Sequence, residues 1–546
     1  MDHPKISLSE GILKSCFEKV RNNFYHKIDA ARHADVYVGT HERPYAEPEF
    51  TGKFLDLCAY YYETEKNPSA LQKGMAVVES IRRNQRADGY LGCLQEGLEL
   101  VAFSVWNHGF TLYGLIRMYE ATKDPDILEL ARRGGDWILS VYKNVRDPDI
   151  LEASNAGSQN ISCLYAFGRL YSVTRDIRYL RFIEDVLSYC ETTDMNLLSF
   201  RSIFDLRSKK GIEMLVIYLG VLQFGLMTNR ADAVDAARRY WSEIWETQIR
   251  NTGNGTVEEK WTPNGNAPRL MPTEEKPNET CVAVGWTELS LALFHADPRA
   301  EYLDAVEKTI FNHMIGSLEK SGEDLAYYQG NFGRKIYRTD EGAYQCCRYR
   351  GFTLFTYLKD YLYHYGENCV TPLVYCPSTF EAEGLTLRQS TAYPANGEIF
   401  FEASNRPGHP LTLRLRIPAW CNDFLLQCNG ETVKIAPDKG FVDLPLGEGI
   451  CEILLRLKMT LSSERTTIDG KSYLSFRYGP CCLAHDSHYG APIGTPVSSD
   501  AIARKLPADG LSLVRFAYDD IDLVDFASAG GNAPTEDEYT VFIPEK

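Results

Sequence analysis

The stretch LYGLIRMYEATKDPDILELARRGGDWILSVY (residues 112–142) contains two apolar segments separated by a short polar turn. On both sides of the turn, apolar residues recur at spacings of three and four, which is the pattern of amphipathic helices. The turn, ATKDPDIL, carries Asp and Pro, residues that end one helix and cap the next. The stretch therefore predicts a helical hairpin.

Turns of the same kind recur through the first two-thirds of the chain. They read ETEKNPSAL (63–71), VTRDIRYL (173–180), MTNRADAV (227–234) and HADPRAEYL (295–303). Some helices between them, such as LVIYLGVLQFGLM (215–227), are apolar nearly all round, which indicates burial on both sides. Serial hairpins can form an open solenoid or a closed ring, and burial on both sides favours the ring. We expect an (α/α)6 barrel over residues 1–365, with the pocket formed by loops at one rim.

The sequence pattern changes period after about residue 366. Segments such as TLRLRIPAW (412–420), EILLRLKM (452–459) and YLSFRYGP (473–480) are short and alternating, and they are rich in β-branched and aromatic residues. Gly, Pro, Asn and Asp separate them. We expect residues 366–546 to form a C-terminal antiparallel β-sandwich domain or domains, so that the whole chain is mainly α with a β part.

Composition restricts the partners and the compartment. The formal net charge of −16 argues against nucleic acid and anionic membrane as partners. The start, MDHPKISLSEGILKSCFEKV, lacks the basic and apolar regions of an export signal, and the 15 Cys form no short disulfide framework. We therefore expect free thiols and a cytoplasmic location.

Two short clusters carry the candidate chemistry. Glu279 and Cys281 lie in N-E-T-C, and Cys346 and Cys347 lie in Y-Q-C-C-R. Three thiolates and a carboxylate are the ligands that zinc prefers. Residues one or two apart do not share a helix face, so both clusters must lie in loops or at helix starts to converge on one ion. Each precedes an apolar helical segment, which predicts that they meet at one rim of the barrel.

The same residues have other interpretations. Vicinal cysteines are often plain core residues, and we interpret Cys481 and Cys482, in the predicted strand YGPCCLAH, in that way. A protein shell of four ligands is closed, which is typical of a structural zinc. A thiolate is also a nucleophile, so the cluster is either a structural staple or a reaction centre.

A candidate acid/base lies upstream of the first cluster. Glu258 and Glu259 occur in GTVEEKW, within a Gly-rich loop (251–278) that is longer than a simple connector needs to be. A carboxyl group there can protonate a leaving group, or the two residues are a solvated charge pair. Trp106 and His108, in SVWNHGF, open a predicted inner helix and are candidates for lining the same rim. A lone His at such a place is otherwise a core residue.

At these residues the chain resembles glycoside hydrolase family 127, the β-L-arabinofuranosidase-like family, and its relative family 146. The resemblance covers most of the chain, and its most specific element is ETC followed by CC with a helix of the E-K-T-I-F-N type between them. The matching motifs include WNHGFTLYGLIRMYEATKD (106–124), ETC (279–281), EYLDAVEKTIFN (301–312) and LRLRIPAWC (413–421). The resemblance implies an (α/α)6 barrel followed by β-sandwich material.

The resemblance also implies a retaining glycosidase with a zinc-bound cysteine nucleophile. Cys346 would be the nucleophile, and Glu279, Cys281, Cys346 and Cys347 would hold the zinc. Glu259 would be the acid/base, with Glu258 in reserve.

Substrate contacts follow from the same resemblance. Glu307 and Tyr327 match family residues that contact the sugar or the nucleophile, and His108 matches a pocket histidine. Trp106 and Arg348 complete the predicted substrate-binding set.

The chain departs from the family where the sugar would be bound. The CC pair is commonly followed by Pro but here by Arg348, and two pocket histidines are replaced near Ser158 and Lys210. A Lys and an Arg in the pocket would suit an acidic sugar.

The expected partner is an oligosaccharide or glycoside from plant cell-wall glycans, and a homodimer is one option for the assembly. Two other functions remain open. One is a non-catalytic carbohydrate-binding protein with a structural zinc, and the other is a different (α/α)6 enzyme acting on acidic pectic sugars.

Overall fold

The computed structural model describes residues 4–42, 47–337, 346–366, 368–406, 408, 411–507, 509–531 and 537–546. Within them, the first two-thirds of the chain is helical. The α-helices are α1 Gly11–His26, α2 Ala30–Asp35, α3 Glu47–Glu65, α4 Pro68–Asn84, α5 Ser104–Thr122, α6 Pro125–Val141, α7 Ser158–Ile161, α8 Leu164–Thr174, α9 Ile177–Cys190, α10 Gly211–Thr228, α11 Ala231–Thr247, α12 Thr280–Ala296, α13 Ala300–Lys308, α14 Ile315–Ser317 and α15 Cys346–Thr356.

The predicted polar turns connect these helices in one repeated way. In four of them a residue with a left-handed φ follows the first helix: Lys66 after α3, Lys123 after α5, Arg175 after α8 and Asn229 after α10. At the start of α6, the Asp124 side chain accepts a hydrogen bond from the Asp126 N–H, and Pro125 follows it. The local sequence thus ends one helix and caps the next within a few residues.

The helices close into a ring. Six of them contact one another in the order α3, α5, α8, α10, α12 and α15, and α15 returns to α3. The helices α4, α6, α9, α11 and α13 each pack against an inner helix that precedes them in the chain. Helix α10 has the length and composition of a membrane span, but 78% of the relevant window is buried inside the barrel. Its all-round apolar character is explained by burial between the other helices.

The remaining chain forms β-strands. In chain order they are β1 Lys5–Leu8, β2 Phe332–Gly333, β3 Tyr363–Gly366, β4 Cys369–Pro372, β5 Ser378–Ala382, β6 Leu385–Thr391, β7 Glu398–Asn405, β8 Leu411–Arg416, β9 Phe424–Cys428, β10 Glu431–Thr432, β11 Phe441–Leu446, β12 Gly449–Leu457, β13 Leu461–Ile468, β14 Lys471–Tyr478, β15 Cys481–Asp486, β16 Arg504–Lys505, β17 Arg515–Tyr518, β18 Ile521–Asp525, β19 Tyr539–Thr540 and β20 Ile543–Pro544.

These strands form three sheets. A seven-stranded sheet has the order β1-β5-β6-β7-β12-β9-β10, and a four-stranded sheet has the order β11-β8-β4-β3. Both share a continuous apolar core with the barrel. The third sheet, built on the path β13-β14-β15-β18-β17-β16, has two apolar clusters of its own. The predicted fold class, a helical barrel followed by antiparallel sheets, is confirmed.

Two details of the sheets differ from the simplest expectation. Strands β4 and β8 pair in parallel, whereas the other strand pairs of the described residues are antiparallel. Strand β1, from the start of the chain, pairs with β5, with Ile6 opposite Phe380. The N-terminal segment therefore contributes a strand to the C-terminal β region, which the helical pattern that follows it does not indicate.

Candidate metal centre and active site

Helices α12 and α15 are neighbours in the inner ring, and each begins at one of the two cysteine clusters. Glu279 is the N-cap residue of α12, but its side chain makes no capping hydrogen bond. Cys346 is the first residue of α15. Glu279 and Cys281 thus lie at a helix start, as the spacing predicts, whereas the residues just before Cys346 lie outside the described part of the chain. A helix start also favours a negative charge, because unpaired N–H groups and the helix dipole point towards it.

The four predicted ligands converge. One ligand atom each from Glu279, Cys281 and Cys346 lie within 4.8 Å of one another. The Cys281 and Cys346 sulfurs are 3.1 Å apart. The Cys347 thiol donates to Glu279 Oε1 at 3.6 Å and accepts from the Cys281 N–H at 3.3 Å. The cluster therefore joins Glu279 and Cys281 to two cysteines that lie 65 or more positions later in the chain.

The loop that carries Glu279 is fixed by backbone bonds. Asn254 Nδ2 donates to the Glu279 carbonyl at 2.7 Å, and the Thr280 N–H donates to the Tyr327 carbonyl at 3.0 Å. Glu279 also forms a backbone bridge with Tyr328. These bonds fix the backbone of the loop, and the Glu279 carboxylate faces the thiols from that fixed backbone.

The donor set fits a thiophilic metal ion. Glu279 Oε2 is buried and has no hydrogen-bond partner in the described part of the chain, which is costly unless an ion or ligand satisfies it. Burial raises the pKa of Glu279 to about 8, and burial raises the pKa of Cys281 and of Cys347 well above the ordinary value. A divalent cation would offset that cost by stabilising the ionised ligands.

Cys346 differs from its neighbours. Hydrogen bonds from Cys281 and Cys347, together with the Lys53 ammonium, lower the pKa of the Cys346 thiol well below its ordinary value. Lys53 Nζ lies 3.2 Å from the sulfur, and Cys346 Sγ lies 3.0 Å from Glu49 Oε1. Among the cysteines of the cluster, Cys346 is the one that is partly exposed, whereas Cys281 and Cys347 are buried.

The Glu49–Lys53 pair is the part of the centre that our sequence analysis missed. Both residues lie on α3, four positions apart, and their side chains form an ion pair that is almost fully buried. Burial raises the pKa of Glu49 to about 8, and the Cys346 charge adds to that effect. Two charged residues inside the buried segment EPEFTGKFLDLCAYYY were the signal that could have identified them, because such residues are rarely buried without a partner.

Glu259 lies at the same rim in a fixed orientation. One carboxylate oxygen pairs with Lys210 Nζ, and the other accepts a hydrogen bond from the Tyr328 hydroxyl. The side chain is 20% exposed. Glu258, by contrast, is exposed. Tyr328, which forms the backbone bridge with Glu279, therefore contacts Glu259 and not Glu258.

A second buried carboxylate lies beside Lys210. Glu213, in the first turn of α10, accepts hydrogen bonds from Asn155 Nδ2 at 2.6 Å and from the Ser158 hydroxyl. Burial raises the pKa of Glu213, and Lys210 acts in the opposite direction. Lys210 also acts on Glu279 to lower its pKa. The ammonium group is thus paired with Glu259, and its charge also lowers the pKa values of Glu213 and Glu279. Glu213 was not among the site residues predicted from the sequence.

Tyr327 lies close to the cluster, and Trp106 lies deeper in the barrel. Burial, with the charges of Cys347 and Glu279, raises the pKa of the Tyr327 hydroxyl well above its ordinary value. Trp106 contributes to a cavity of about 30 Å³ inside the ring of inner helices. Its ring is 4.8 Å from that of Phe110, over which Lys53 Nζ lies at 4.9 Å. Trp106 therefore reaches the cluster through Phe110 and Lys53.

His108 is placed differently from the prediction. Its Nε2 lies 2.9 Å from the Gly134 carbonyl, and its Nδ1 accepts from the Leu91 N–H at 3.4 Å. The side chain is fully buried and stacks on Trp137. Both ring nitrogens face backbone groups of the barrel wall, so this placement gives no support to a contact with substrate and matches the alternative of a core histidine.

Glu307 is bonded to the β region. Its carboxylate pairs with Arg416 and accepts hydrogen bonds from Tyr393 at 2.7 Å and Trp420 at 3.2 Å. These contacts connect α13 to the strands around β8. They account for both carboxylate oxygens and do not place Glu307 among the thiols.

Arg348 follows the cysteine pair but is oriented toward a different group. Its guanidinium lies 5.6 Å from the Phe352 ring and acts on Asp324 to lower the pKa of that carboxyl.

A closed helical barrel with a thiolate–carboxylate cluster and a separate oriented carboxyl group at one rim has the parts of a barrel-type glycoside hydrolase. Comparison with known proteins gives the family. Residues 7–360 match the GH127 catalytic domain of β-L-arabinofuranosidases, and residues 370–445 match the GH127 middle domain. The chain belongs to the GH127 β-L-arabinofuranosidase family, and it is a glycoside hydrolase of that family.

Individual relatives are distant in sequence and close in fold. A non-reducing end β-L-arabinofuranosidase from Bifidobacterium longum subsp. longum is 23% identical over 474 residues, covering 76% of this chain and 71% of its own. The crystal structure of a GH127 β-L-arabinofuranosidase from Geobacillus stearothermophilus T6 has a TM-score of 0.81 at 17% identity, covering 99% of this chain and 100% of its own. The structure of a GH127 β-arabinofuranosidase has a TM-score of 0.82 at 16% identity, covering 99% and 96%.

Proposed function

We propose that the protein hydrolyses β-L-arabinofuranosides at non-reducing ends with retention of configuration, using Cys346 as the nucleophile and Glu259 as the acid/base. The observation that carries this proposal is the convergence of Cys346 with Glu279, Cys281 and Cys347, next to a rim on which Glu259 is held by Lys210 and Tyr328. Family membership supports the reaction class.

The metal ion would be zinc. Glu279, Cys281, Cys346 and Cys347 would hold it, and when bound it would keep their thiols ionised near neutral pH. Three sulfur donors favour zinc over magnesium or calcium, which take oxygen ligands.

In the first half of the reaction, Cys346 Sγ attacks the anomeric carbon, and the bond from that carbon to the leaving oxygen breaks. Glu259 gives its proton to the departing oxygen. Lys210 Nζ and the Tyr328 hydroxyl, each bonded to one oxygen of Glu259, stabilise the carboxylate that this transfer leaves, and Glu259 regains its proton from water in the second half. The product of this half is a thioglycosyl-enzyme and a free alcohol.

In the second half, Glu259 takes a proton from water. The water oxygen attacks the anomeric carbon, and the carbon–sulfur bond breaks to return Cys346 as a thiolate. Two inversions at the same carbon give net retention. Lys53, which donates to Cys346 Sγ at 3.2 Å, stabilises that thiolate at the start and at the end of the cycle.

The charges around the site support a neutral glycone. Lys210 is paired with Glu259, so its charge is already compensated and it is not free to bind the carboxylate of an acidic sugar. That pairing argues against Lys210 as the reader of an acidic sugar, whereas Arg348 Nε is buried and has no hydrogen-bond partner among the described residues. Glu213 and its partners Asn155 and Ser158 are the polar groups available for sugar hydroxyls.

The test is hydrolysis of 4-nitrophenyl β-L-arabinofuranoside beside the α-anomer and a 4-nitrophenyl uronide, with the first product followed by proton NMR. We expect nitrophenol release from the β-anomer alone and β-arabinofuranose as the first sugar detected. Preferred hydrolysis of the uronide would overturn the neutral-sugar assignment. An α-configured first product would overturn the retaining mechanism.

A further inference from the structure

A cavity of about 340 Å³ lies where the barrel meets the third sheet. One wall is the loop after α11, and the other is formed by strands β13 and β14 and the segment before β20. Its lining includes Arg250, Thr252, Arg269, Glu464 and Ser475. Neither the family match nor the proposed reaction assigns a role to this cavity.

Arg250 is the central feature of the cavity. Its side chain is 8% exposed, and its guanidinium donates to the Thr256 carbonyl at 3.2 Å and to Asn278 Oδ1 at 2.7 Å. Both acceptors are neutral, and the ion pairs of the described residues include none to Arg250. Burial, and then the nearby charge of Arg269, lowers the pKa of Arg250 to about 9. Burying an uncompensated guanidinium is costly, which indicates that a counter-charge comes from outside the chain.

Further cations lie next to this one. A second cavity of about 130 Å³ shares Asn251, Glu464 and Ser475 with the first, and Arg477 lines it. Burial, and then Arg477, lowers the pKa of the neighbouring Lys308 to about 8. Within the described part of the chain, neither Lys308 nor Arg477 forms an ion pair. Glu464 is the single carboxylate in the lining of either cavity.

This local excess of positive charge contrasts with the chain as a whole, whose formal net charge is −16. Four cations, Arg250, Arg269, Lys308 and Arg477, lie around Glu464, and one of them, Arg269, is also paired with Glu275 at 3.4 Å. Such an arrangement attracts anions and raises their local concentration.

Two buried polar atoms at the site have no partner among the described residues. They are Arg250 Nε and Thr252 Oγ1. Donors left unsatisfied in this way typically bind a ligand or ordered water. The other polar groups of the lining are the amides and hydroxyls of Asn251, Asn266, Asn331, Thr466 and Ser475, and they lie beside apolar residues such as Val541 and Phe542.

We propose that this cavity binds a carboxylate-bearing sugar unit, a hexuronate, with Arg250 and Arg269 contacting the carboxylate and the amide and hydroxyl groups contacting the sugar hydroxyls. A guanidinium fork matches a carboxylate in geometry. The cavity is larger than a bare anion needs, and its neutral polar lining suits a polyhydroxylated ring. The site would hold an acidic part of a polysaccharide while the separate rim site acts on neutral sugar.

The test is isothermal titration calorimetry with galacturonate and with its dimer, beside galactose and inorganic phosphate. We expect the uronates to bind and galactose, which has the same ring without the carboxylate, to bind at least about 10-fold more weakly. Equal affinity for galacturonate and galactose would overturn the proposal. Phosphate binding more tightly than uronate would overturn the sugar assignment in favour of a simple anion.

Two variants locate the binding. Arg269→Gln removes an exposed cation of the cavity, and we expect uronate affinity to fall about 10-fold. Thr252→Val removes a hydroxyl that has no partner in the described residues, so we expect weaker uronate binding by roughly 3-fold with an unchanged melting temperature. The control is Arg456→Gln, the same charge change at an exposed residue of β12 that pairs with Glu398.

All three variants should hydrolyse a small neutral arabinofuranoside at the native rate, because none of these residues belongs to the rim site. Uronate affinity that is unaffected by both Arg269→Gln and Thr252→Val would contradict the assignment of this cavity. That result would leave the proposed arabinofuranosidase activity intact, so the two proposals fail separately.

Discussion

The chain contains two vicinal cysteine pairs with opposite surroundings. Cys346 and Cys347 begin α15 among Lys53, Glu49 and Glu279. Cys481 and Cys482 begin β15, where each sulfur packs into a different apolar cluster of the third sheet. Burial raises the pKa of Cys482 to about 12, whereas the pKa of Cys346 is lowered well below its ordinary value by hydrogen bonds from Cys281 and Cys347 and by Lys53.

The difference shows that a CC motif does not by itself define a reactive site. A strand directs its two sulfurs to opposite faces, so Cys481 and Cys482 cannot share a partner. In the other pair both sulfurs contact Cys281, and each also contacts a carboxylate, Glu49 for Cys346 and Glu279 for Cys347. The neighbours in space, and not the sequence motif, determine which cysteine is ionised.

The strongest test of this comparison replaces one cysteine from each pair. We expect Cys346→Ser to lower kcat for an activated β-L-arabinofuranoside by at least about 10³-fold, because the nucleophile is lost. Cys482→Ser should leave kcat unchanged. Residual activity of Cys346→Ser within 10-fold of the native protein would return Cys346 to a purely structural role, and a metal assay on the same sample would show whether the ion is retained.

The next test separates the two adjacent glutamates. We expect Glu259→Gln to lower kcat by about 10²–10⁴-fold, with a larger loss for a poor leaving group than for nitrophenol, because a general acid matters most when the departing oxygen is basic. Glu258→Gln is the matched control and should be near native, since Glu258 is exposed. Equal losses in the two variants, or a loss that is independent of the leaving group, would contradict the assignment.

Metal removal should lower stability in a pH-dependent way. We expect a chelator to abolish activity and lower the melting temperature, and added zinc to restore both, by about 2.7 kcal/mol at a hundredfold excess over Kd. Glu279, whose pKa burial raises to about 8, and the raised thiols of Cys281 and Cys347 hold protons that compete with the metal. As pH rises this competition weakens, so the increase in melting temperature should be larger at pH 8.5 than at pH 6.5. The opposite trend would exclude these residues as ligands.

A smaller effect should be visible in the metal-free protein. Alkylation by iodoacetamide at pH 7, followed by peptide mass spectrometry, should modify Cys346 and leave Cys482 unmodified in the folded state. We expect Lys53→Met to slow the Cys346 reaction by about 10-fold, because the thiol loses the adjacent positive charge. Lys471→Met, at an exposed residue of β14, is the control. Equal rates at Cys346 and Cys482 in the native protein would remove the basis of the comparison.

The smallest effect concerns stability alone. We expect Cys482→Ala to lower the free energy of unfolding by about 1 kcal/mol through lost packing, with kcat unchanged. Chemical denaturation and a standard activity assay are sufficient. A change in kcat would indicate that the third sheet influences the rim, which the contacts of Cys482 give no reason to expect.

The helical hairpins and the candidate metal-binding cluster could be predicted from the sequence because each depends on local signals. Asp124 and Pro125 mark a turn wherever they occur between two apolar-periodic segments. N-E-T-C and C-C each precede an apolar helix, so their placement at helix starts follows from side-chain spacing. The pairing of β1 with β5 and the parallel pair of β4 with β8 depend on contacts between distant segments, for which the sequence gives no comparable local signal.

The supporting residues of the site were harder to predict. Lys53 lies 293 positions from Cys346, and nothing near either residue in sequence indicates that they meet. His108 shows the converse problem: its position in the sequence suggested the pocket, but the ring is on the face of α5 that packs against α6. The face of the helix on which a polar residue lies determines whether it reaches the pocket or the core. Composition does not determine which face a single polar residue occupies.

The measurement that tests the central claim most directly is mass spectrometry of the acid-quenched protein after incubation with an activated β-L-arabinofuranoside, followed by peptide mapping. The account predicts one anhydropentose added to the peptide that contains Cys346, and no adduct in Cys346→Ser. An adduct on a carboxylate residue, or steady hydrolysis by Cys346→Ser, would contradict a cysteine nucleophile and leave the cluster with a metal-binding role alone.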